Sequence, residues 1–234
     1  MMRRRHSCLD CAVRGRTLCR ALALERLLQL NPHSSRRRYP PGRLIAGADP
    51  VEDWFAIVLS GVVKLTQSLS DGRQQIVGLL FPSDFLGQPF KRASPCAAET
   101  ATAVELCCFE RKAFMRLLQE EADFTRLLLE RTLEEVDIGR DWMLLLGRKS
   151  AEERVATLLL LMLRRMPGHD HGSELSQRQF ELPLSRGEMA DYLGLRIETV
   201  SRQFKRLKSA GVIETRGRTL VVQDLAGLRT RAKE

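Results

Sequence analysis

The stretch from Glu121 to Arg148 constrains this chain more than any other. It runs end to end without proline, and Leu129, Val136, Met143 and Leu146 fall on a three-and-four repeat with Thr132 and Gly139 at the intervening stations. A stripe that narrow suits a seam against an identical helix better than the broad inner face of a core helix. A long core helix of one domain is the plainer alternative; the narrow stripe and its charged flanks count against it. Ahead of the helix lies a strand-rich half with three closely spaced cysteines, and behind it a basic helical half. The expected division is 1–35, a cysteine-rich segment; 36–118, a strand-rich domain; 119–148, the seam helix; and 149–234, a basic helical domain.

Charge supports an anionic partner. The chain carries 38 basic and 29 acidic residues, a net charge of +9, a balance suited to nucleic acid. The longest apolar run, Val155 to Leu163, falls short of the roughly 18 residues that span a bilayer. Arginines 3 to 5 lead into no apolar signal core. The expectation is a cytoplasmic protein with no membrane partner. There, six cysteines point to metal, redox or packing roles before disulfides.

Cys8-Leu-Asp-Cys11 and Cys19 can bring several thiolates to one centre from a short loop. Arg14, Arg16 and Arg20 surround them, and positive charge is expected to lower the thiol pKa and favour the metal-binding thiolate. A fourth ligand is needed. Cys96 follows Pro95 in a loop-like stretch and can reach outward. Cys107 and Cys108 lie in the apolar run Val104 to Phe109, where adjacent strand residues face opposite ways; buried packing is the expectation for both. His6 or His33 would instead complete a zinc site.

From about Arg38 to Phe109 the chain reads as short strands between turns: Trp54 to Leu59, Val62 to Leu69, Gln74 to Leu80, and Glu99 to Cys108. Ser70-Asp71-Gly72 marks a hairpin. Short, regular strands suit a small barrel or jelly roll. A helix from Arg111 to Leu118 leads to the seam.

Ser150-Ala-Glu-Glu153 and Ser185-Arg-Gly-Glu188 both have the capping-box pattern. The first starts a buried helix to about Met166, and Pro167 to Gly172 is then a loop whose His169 and His171 are expected to be solvated. The second starts a helix that stops at Gly194, and Ile197 to Lys208 follows after a short turn. Ala190, Gly194 and Val200 supply the small residue, sharp turn and buried aliphatic that a helix-turn-helix needs. Glu198, Ser201 and Arg202 then share one face near the start of the second helix, placed to read base edges. Lys205, Arg206 and Lys208 are expected to meet phosphate. A hairpin over 211–222, turning at Arg216-Gly217-Arg218, forms a wing with a basic tip. The fold class is therefore α+β: an N-terminal β-roll (jelly-roll) sensor domain, a long dimerisation helix and a C-terminal winged helix-turn-helix. No nucleophile–base constellation, phosphate-cradling glycine loop or histidine cluster speaks for an enzyme.

This arrangement resembles the oxygen-sensing FNR-like (fumarate and nitrate reduction) regulators of the cyclic-AMP receptor protein superfamily. The resemblance is carried by the cysteine cluster, Asp84-Phe-Leu-Gly87, Trp142-Met-Leu-Leu-Leu146 with Ala151-Glu-Glu-Arg154, and Glu198-Thr-Val-Ser-Arg202. The Cys-x2-Cys-x7-Cys spacing is similar to a subgroup from photosynthetic and nitrogen-fixing bacteria. The resemblance implies a [4Fe-4S] cluster on Cys8, Cys11, Cys19 and Cys96, cluster-dependent homodimerisation, and reading of a TTGAT-like palindrome by Glu198, Ser201 and Arg202. It also implies an RNA polymerase contact near Asp71 to Gln75 and Phe85. Gln88 stands where cyclic-nucleotide binders carry glutamate, which implies no such ligand. A regulator of the same fold using structural zinc or another effector is the alternative.

Overall fold

The structure is a computed structural model that describes residues 8–47, 53–91, 94–166 and 178–234. The His169 and His171 loop, and His6, lie outside the described residues. Two compact units make up the chain: Met1–Gly72 with Val77–Ile138, and Arg73–Ile76 with Gly139–Glu234.

The first unit opens with three 3-10 turns, Cys8–Asp10, Arg14–Arg16 and Leu18–Ala21, followed by helix α1 (Leu24–Leu30). Strands β1 (Ser34–Tyr39), β2 (Leu44–Ala46), β3 (Trp54–Ser60), β4 (Val63–Ser68), β5 (Gln74–Leu80), β6 (Phe85–Leu86), β7 (Ala97–Thr100) and β8 (Val104–Glu110) come next, then α2 (Arg111–Glu120) and the long α3 (Ala122–Arg148). The strands form two four-stranded sheets, β1-β8-β3-β6 and β2-β7-β4-β5, a β-roll in architecture.

The run expected as one strand from Glu99 to Cys108 is two strands on different sheets. A corner at Ala101-Thr102-Ala103 separates them. It docks on the β3–β4 turn, where Val62 N donates to Thr102 Oγ1 at 2.9 Å and Ala101 N to Val62 O at 2.9 Å. Glycine at 61 is required there: its φ is +82°, and a Cβ would come within 2.2 Å of Ala103 O.

Strand β8 is buried on both faces, which explains its unbroken apolar sequence. Leu106 and Cys108 face Ala56, Val58, Val63 and Ala98 in the core between the sheets. Cys107 and Phe109 face the other way, into a second core built from Phe55, Ile57, Leu18, Leu22, Leu27, Phe114, Phe124, Leu127 and Leu128. The cysteine-rich segment, α2 and the first turns of α3 are thus one packed body on the outside of one sheet. Phe114 sits at its centre, 4.8 Å from Phe55, 5.1 Å from Phe85 and 5.3 Å from Phe124 between ring centroids.

In the second unit, α4 (Ala151–Arg165), β9 (Gln179–Glu181), α5 (Arg186–Leu193), α6 (Ile197–Ser209), β10 (Ile213–Arg216), β11 (Thr219–Val222) and α7 (Leu225–Ala232) follow the end of α3. Both expected capping boxes form: Ser150 N donates to Glu153 at 2.7 Å and Ser185 N to Glu188 at 2.8 Å, with the reciprocal serine bonds present. Gly194 caps α5 in the left-handed region at φ 60°, a conformation that costs other L-residues about 1–2 kcal/mol. Arg154 ties the end of α3 to this unit. Its guanidinium donates to the carbonyls of Leu146 (2.7 Å), Lys149 (2.9 Å) and Leu193 (3.0 Å). Trp142 stacks on Tyr192 with centroids 4.2 Å apart.

Candidate DNA-reading and metal-binding sites

Helix α6 divides cleanly into two faces. Val200, Gln203, Phe204 and Leu207 are buried, and Arg186 lies over the Phe204 ring at 3.3 Å. Glu198, Ser201, Arg202, Lys205, Arg206 and Lys208 are all exposed, which is the expected face. The turn at Gly194 sets α6 off from α5 so that the first exposed side chains stand at the helix N-terminus, where a reading helix meets base edges. Strands β10, β11 and β9 form the wing sheet, with Arg216 opposite Thr219 across its tip. The tip arginines are engaged within the chain. Arg216 pairs with Glu214 at 3.0 Å, and Arg218 donates to Leu182 O at 2.9 Å and faces Glu181 at 3.5 Å.

Helix α3 exposes a long apolar stripe. Leu129, Val136 and Met143 are 59%, 44% and 67% exposed on the single chain, and Leu133 and Leu144, which the sequence reading did not include, widen it. Gly139 is exposed with open space around it. Leu146 is only half buried from solvent on its own chain: its Cδ2 would lie 3.7 Å from a Cβ on Gly194. Apolar area on this scale left open on one chain marks a surface that another surface covers.

The cysteines fall in three places. Cys8, Cys11, Cys19 and Cys107 line one small cavity with Val13, Arg14, Thr17, Ile57, Leu59 and Phe109. Cys108 is buried in the core between the sheets. Cys96 precedes β7 on the opposite sheet, where its N–H meets Ser94 Oγ at 3.2 Å and its charged neighbour is Lys91. The cavity thus brings Cys107, and not the expected Cys96, together with the first three cysteines. Strand alternation sends Cys107 outward through the sheet, onto the segment that carries them, and Cys96 is not among the cavity's lining residues. None of the six cysteines is in a disulfide. The N-terminal segment is held by Leu18, Leu22 and Leu27 in the shared core, by Cys8 N donating to Asn31 Oδ1 at 3.0 Å, and by Arg131 of α3 donating to Arg16 O at 3.4 Å.

The arginines do not dominate the thiols as the sequence predicts. Burial pushes the Cys8, Cys19 and Cys107 thiols up, Cys19 to about 12, and the opposing pull of the Ser34 and Thr17 contacts and of Arg36 and Arg14 is smaller. Desolvation outweighs the positive charge, so metal must displace protons to bind here. The donor chemistry suits an iron–sulfur group: four thiols line one cavity, three from the N-terminal segment and one from β8. Among the described residues, no three His, Cys, Asp or Glu side chains form a ready-made site for a single metal ion.

A β-roll, a long helix with an open apolar stripe and a winged helix-turn-helix together define a DNA-binding transcription regulator. Residues 153–231 match the Crp-like helix-turn-helix domain and residues 36–121 the cyclic nucleotide-binding domain. The chain belongs to the Crp/Fnr family of transcription regulators, which is not a family of enzymes. It is 42% identical to the transcriptional activator protein FnrL of Cereibacter sphaeroides over 224 residues, 95% of this chain and 90% of the relative. It is 37% identical to the nitrogen fixation regulation protein FixK of Bradyrhizobium diazoefficiens over 208 residues, 89% and 86% of the two chains. The solved structure of FixK2 from Bradyrhizobium japonicum matches with a TM-score of 0.75 at 32% identity, covering 84% of this chain and 96% of that one. Among the described residues no helix is long and apolar enough to cross a membrane.

Proposed function

We propose that this chain is an oxygen-responsive transcription activator. In this reading a [4Fe-4S] cluster held by Cys8, Cys11, Cys19 and Cys107 governs homodimerisation and binding to a TTGAT-like palindrome. The observation that carries the proposal is the shared cavity of those four cysteines, in the same core as the first turns of the seam helix. When bound, such a cluster supplies iron–thiolate bonds that oxygen can break. The chain's own residues do the rest. Leu18, Leu22 and Leu27 fix the cysteine segment against β3 and β8, and Ile57, Phe109, Phe114 and Phe124 share one core with Cys19 and the start of α3. Order in the segment then biases the placement of α3 by its differential affinity for the two states, and by no more. Leu129, Val136, Gly139, Met143 and the free part of Leu146 pair across a twofold axis, with Leu133 and Leu144 beside them. The relatives named activators support the activating role. A contact from the β-roll to RNA polymerase near Asp71 to Gln75 belongs to the same proposal, as does a cytoplasmic location. Gln88 brings no charge to its loop, and Arg111 there donates to the Pro89 and Lys91 carbonyls, which favours a regulator without cyclic nucleotide.

In the paired state Glu198, Ser201 and Arg202 read bases while Lys205, Arg206 and Arg216 neutralise phosphate; Arg218, turned to β9, has the weaker claim. Protein purified without oxygen is expected to hold iron and acid-labile sulfide, and to lose colour, dimer and operator binding together in air. Zinc in place of iron, or iron with no change in pairing, overturns this reading. Arg202→Ala is expected to cost about 1–3 kcal/mol of discrimination at one base pair. Anisotropy titrations on single-base operator variants check this, and equal weakening on every duplex would make Arg202 a phosphate contact instead.

A further inference from the structure

The wing holds a carboxylate among the cations assigned to phosphate. Glu214 on β10 accepts from Arg216 Nε at 3.0 Å and Nη2 at 3.3 Å, and from Gln223 Nε2 at 3.1 Å. Lys208, in the last turn of α6, is close enough to stabilise the same negative charge. The cations further up α6 differ: Arg202, Lys205 and Arg206 make no ion pair within the described residues. The one acidic side chain of the hairpin is thus placed where the reading helix and the wing tip converge.

We propose that Glu214 is an intramolecular stand-in for a DNA phosphate. It keeps Arg216 oriented while DNA is absent and competes with the duplex for that guanidinium, so it sets the strength of binding without touching sequence choice. The inference rests on the reading that the wing meets phosphate. Arg216 is exposed, and exposed ion pairs contribute little to folding; the carboxylate's effect is therefore felt on DNA. There it opposes the polyanion twice, once by occupying Arg216 and once by its own charge. Binding strength on every duplex depends on how many phosphates the protein neutralises, and so does its fall with salt.

Glu214→Gln removes the charge and keeps an acceptor for Arg216. The full chain, prepared without oxygen, would be titrated on a duplex with a TTGAT inverted repeat and on a scrambled duplex, from about 50 to 200 mM salt. The variant is expected to bind both duplexes about three- to tenfold tighter at low salt, with the slope of log K against log salt steeper by about one. Adding Arg216→Ala should remove the change in slope and the larger part of the gain, leaving only what the lost carboxylate charge contributes. Unchanged affinity and slope, weaker binding, or a gain confined to the inverted repeat would each overturn the inference. Wild-type protein that binds neither duplex sinks the DNA-reading proposal itself, and this inference with it. Wild-type protein with a normal salt slope and no response to Glu214→Gln sinks the inference alone.

Discussion

Cys107→Ala is expected to bring the iron and sulfide of oxygen-free protein close to background, while Cys96→Ala and Cys108→Ala keep both. Cys107 lies on the outer face of β8, one residue from Cys108 on the inner face and across from Arg36 and Ile57 in register. It lines the cavity shared by Cys8, Cys11 and Cys19, and the other two do not. Removing one buried sulfur costs the metal-free fold only about 1 kcal/mol, so a near-normal unfolding midpoint in the metal-free variant would separate a lost ligand from a lost fold. With the cluster gone, the variant should behave without oxygen as the wild type does in air: no gain in pairing, and no tight operator binding. Iron retained by Cys107→Ala and lost by Cys96→Ala would return the fourth thiolate to Cys96.

That reversal shows where a sequence stops being readable. The two capping boxes, the Gly194 turn and the split of α6 into buried and exposed faces were all legible, because each depends on residues within one or two helical turns. The β3, β4 and β5 boundaries were legible for a similar reason, being set by local turns. The fourth cysteine was not. Alternation shows that Cys107 and Cys108 point opposite ways, but which side faces the N-terminal segment depends on sheet packing about ninety positions away in the chain. A loop cysteine therefore looked more available than a strand cysteine in an apolar run. β1 is not legible in the sequence because Ser34-Ser-Arg-Arg-Arg-Tyr39 has no apolar signal; it is a strand because β8 pairs with it from Ser34–Phe109 to Tyr39–Val104. The split of Glu99 to Cys108 depended on the remote Gly61 turn, and the rise in thiol pKa on burial that charge counting along the chain cannot supply. Leu133 and Leu144 fall outside the seam pattern because a strict three-and-four repeat is narrower than the stripe that a straight helix exposes.

Val136→Glu tests the seam. A twofold axis along α3 brings position 136 near its own copy, so the substitution removes two buried aliphatic groups and sets two carboxylates against each other. Loss of burial and the like-charge contact together are expected to weaken pairing by about 2–4 kcal/mol, roughly thirty- to a thousandfold in the dissociation constant. Because a palindrome is gripped by both halves at once, operator affinity should fall with the pairing, while iron and sulfide stay at the wild-type level. The two effects separate because Phe124, Leu127 and Leu128 pack α3 against the cysteine-bearing core, whereas Val136, two turns or more further along, is outside that core and open on the single chain. Sedimentation velocity and anisotropy on one oxygen-free sample would read both. Iron lost together with the dimer would mean that pairing holds the cysteine segment in place, reversing the direction of control. An intact dimer would mean that α3 does not form the seam, and that its open leucines are covered by something other than a second copy.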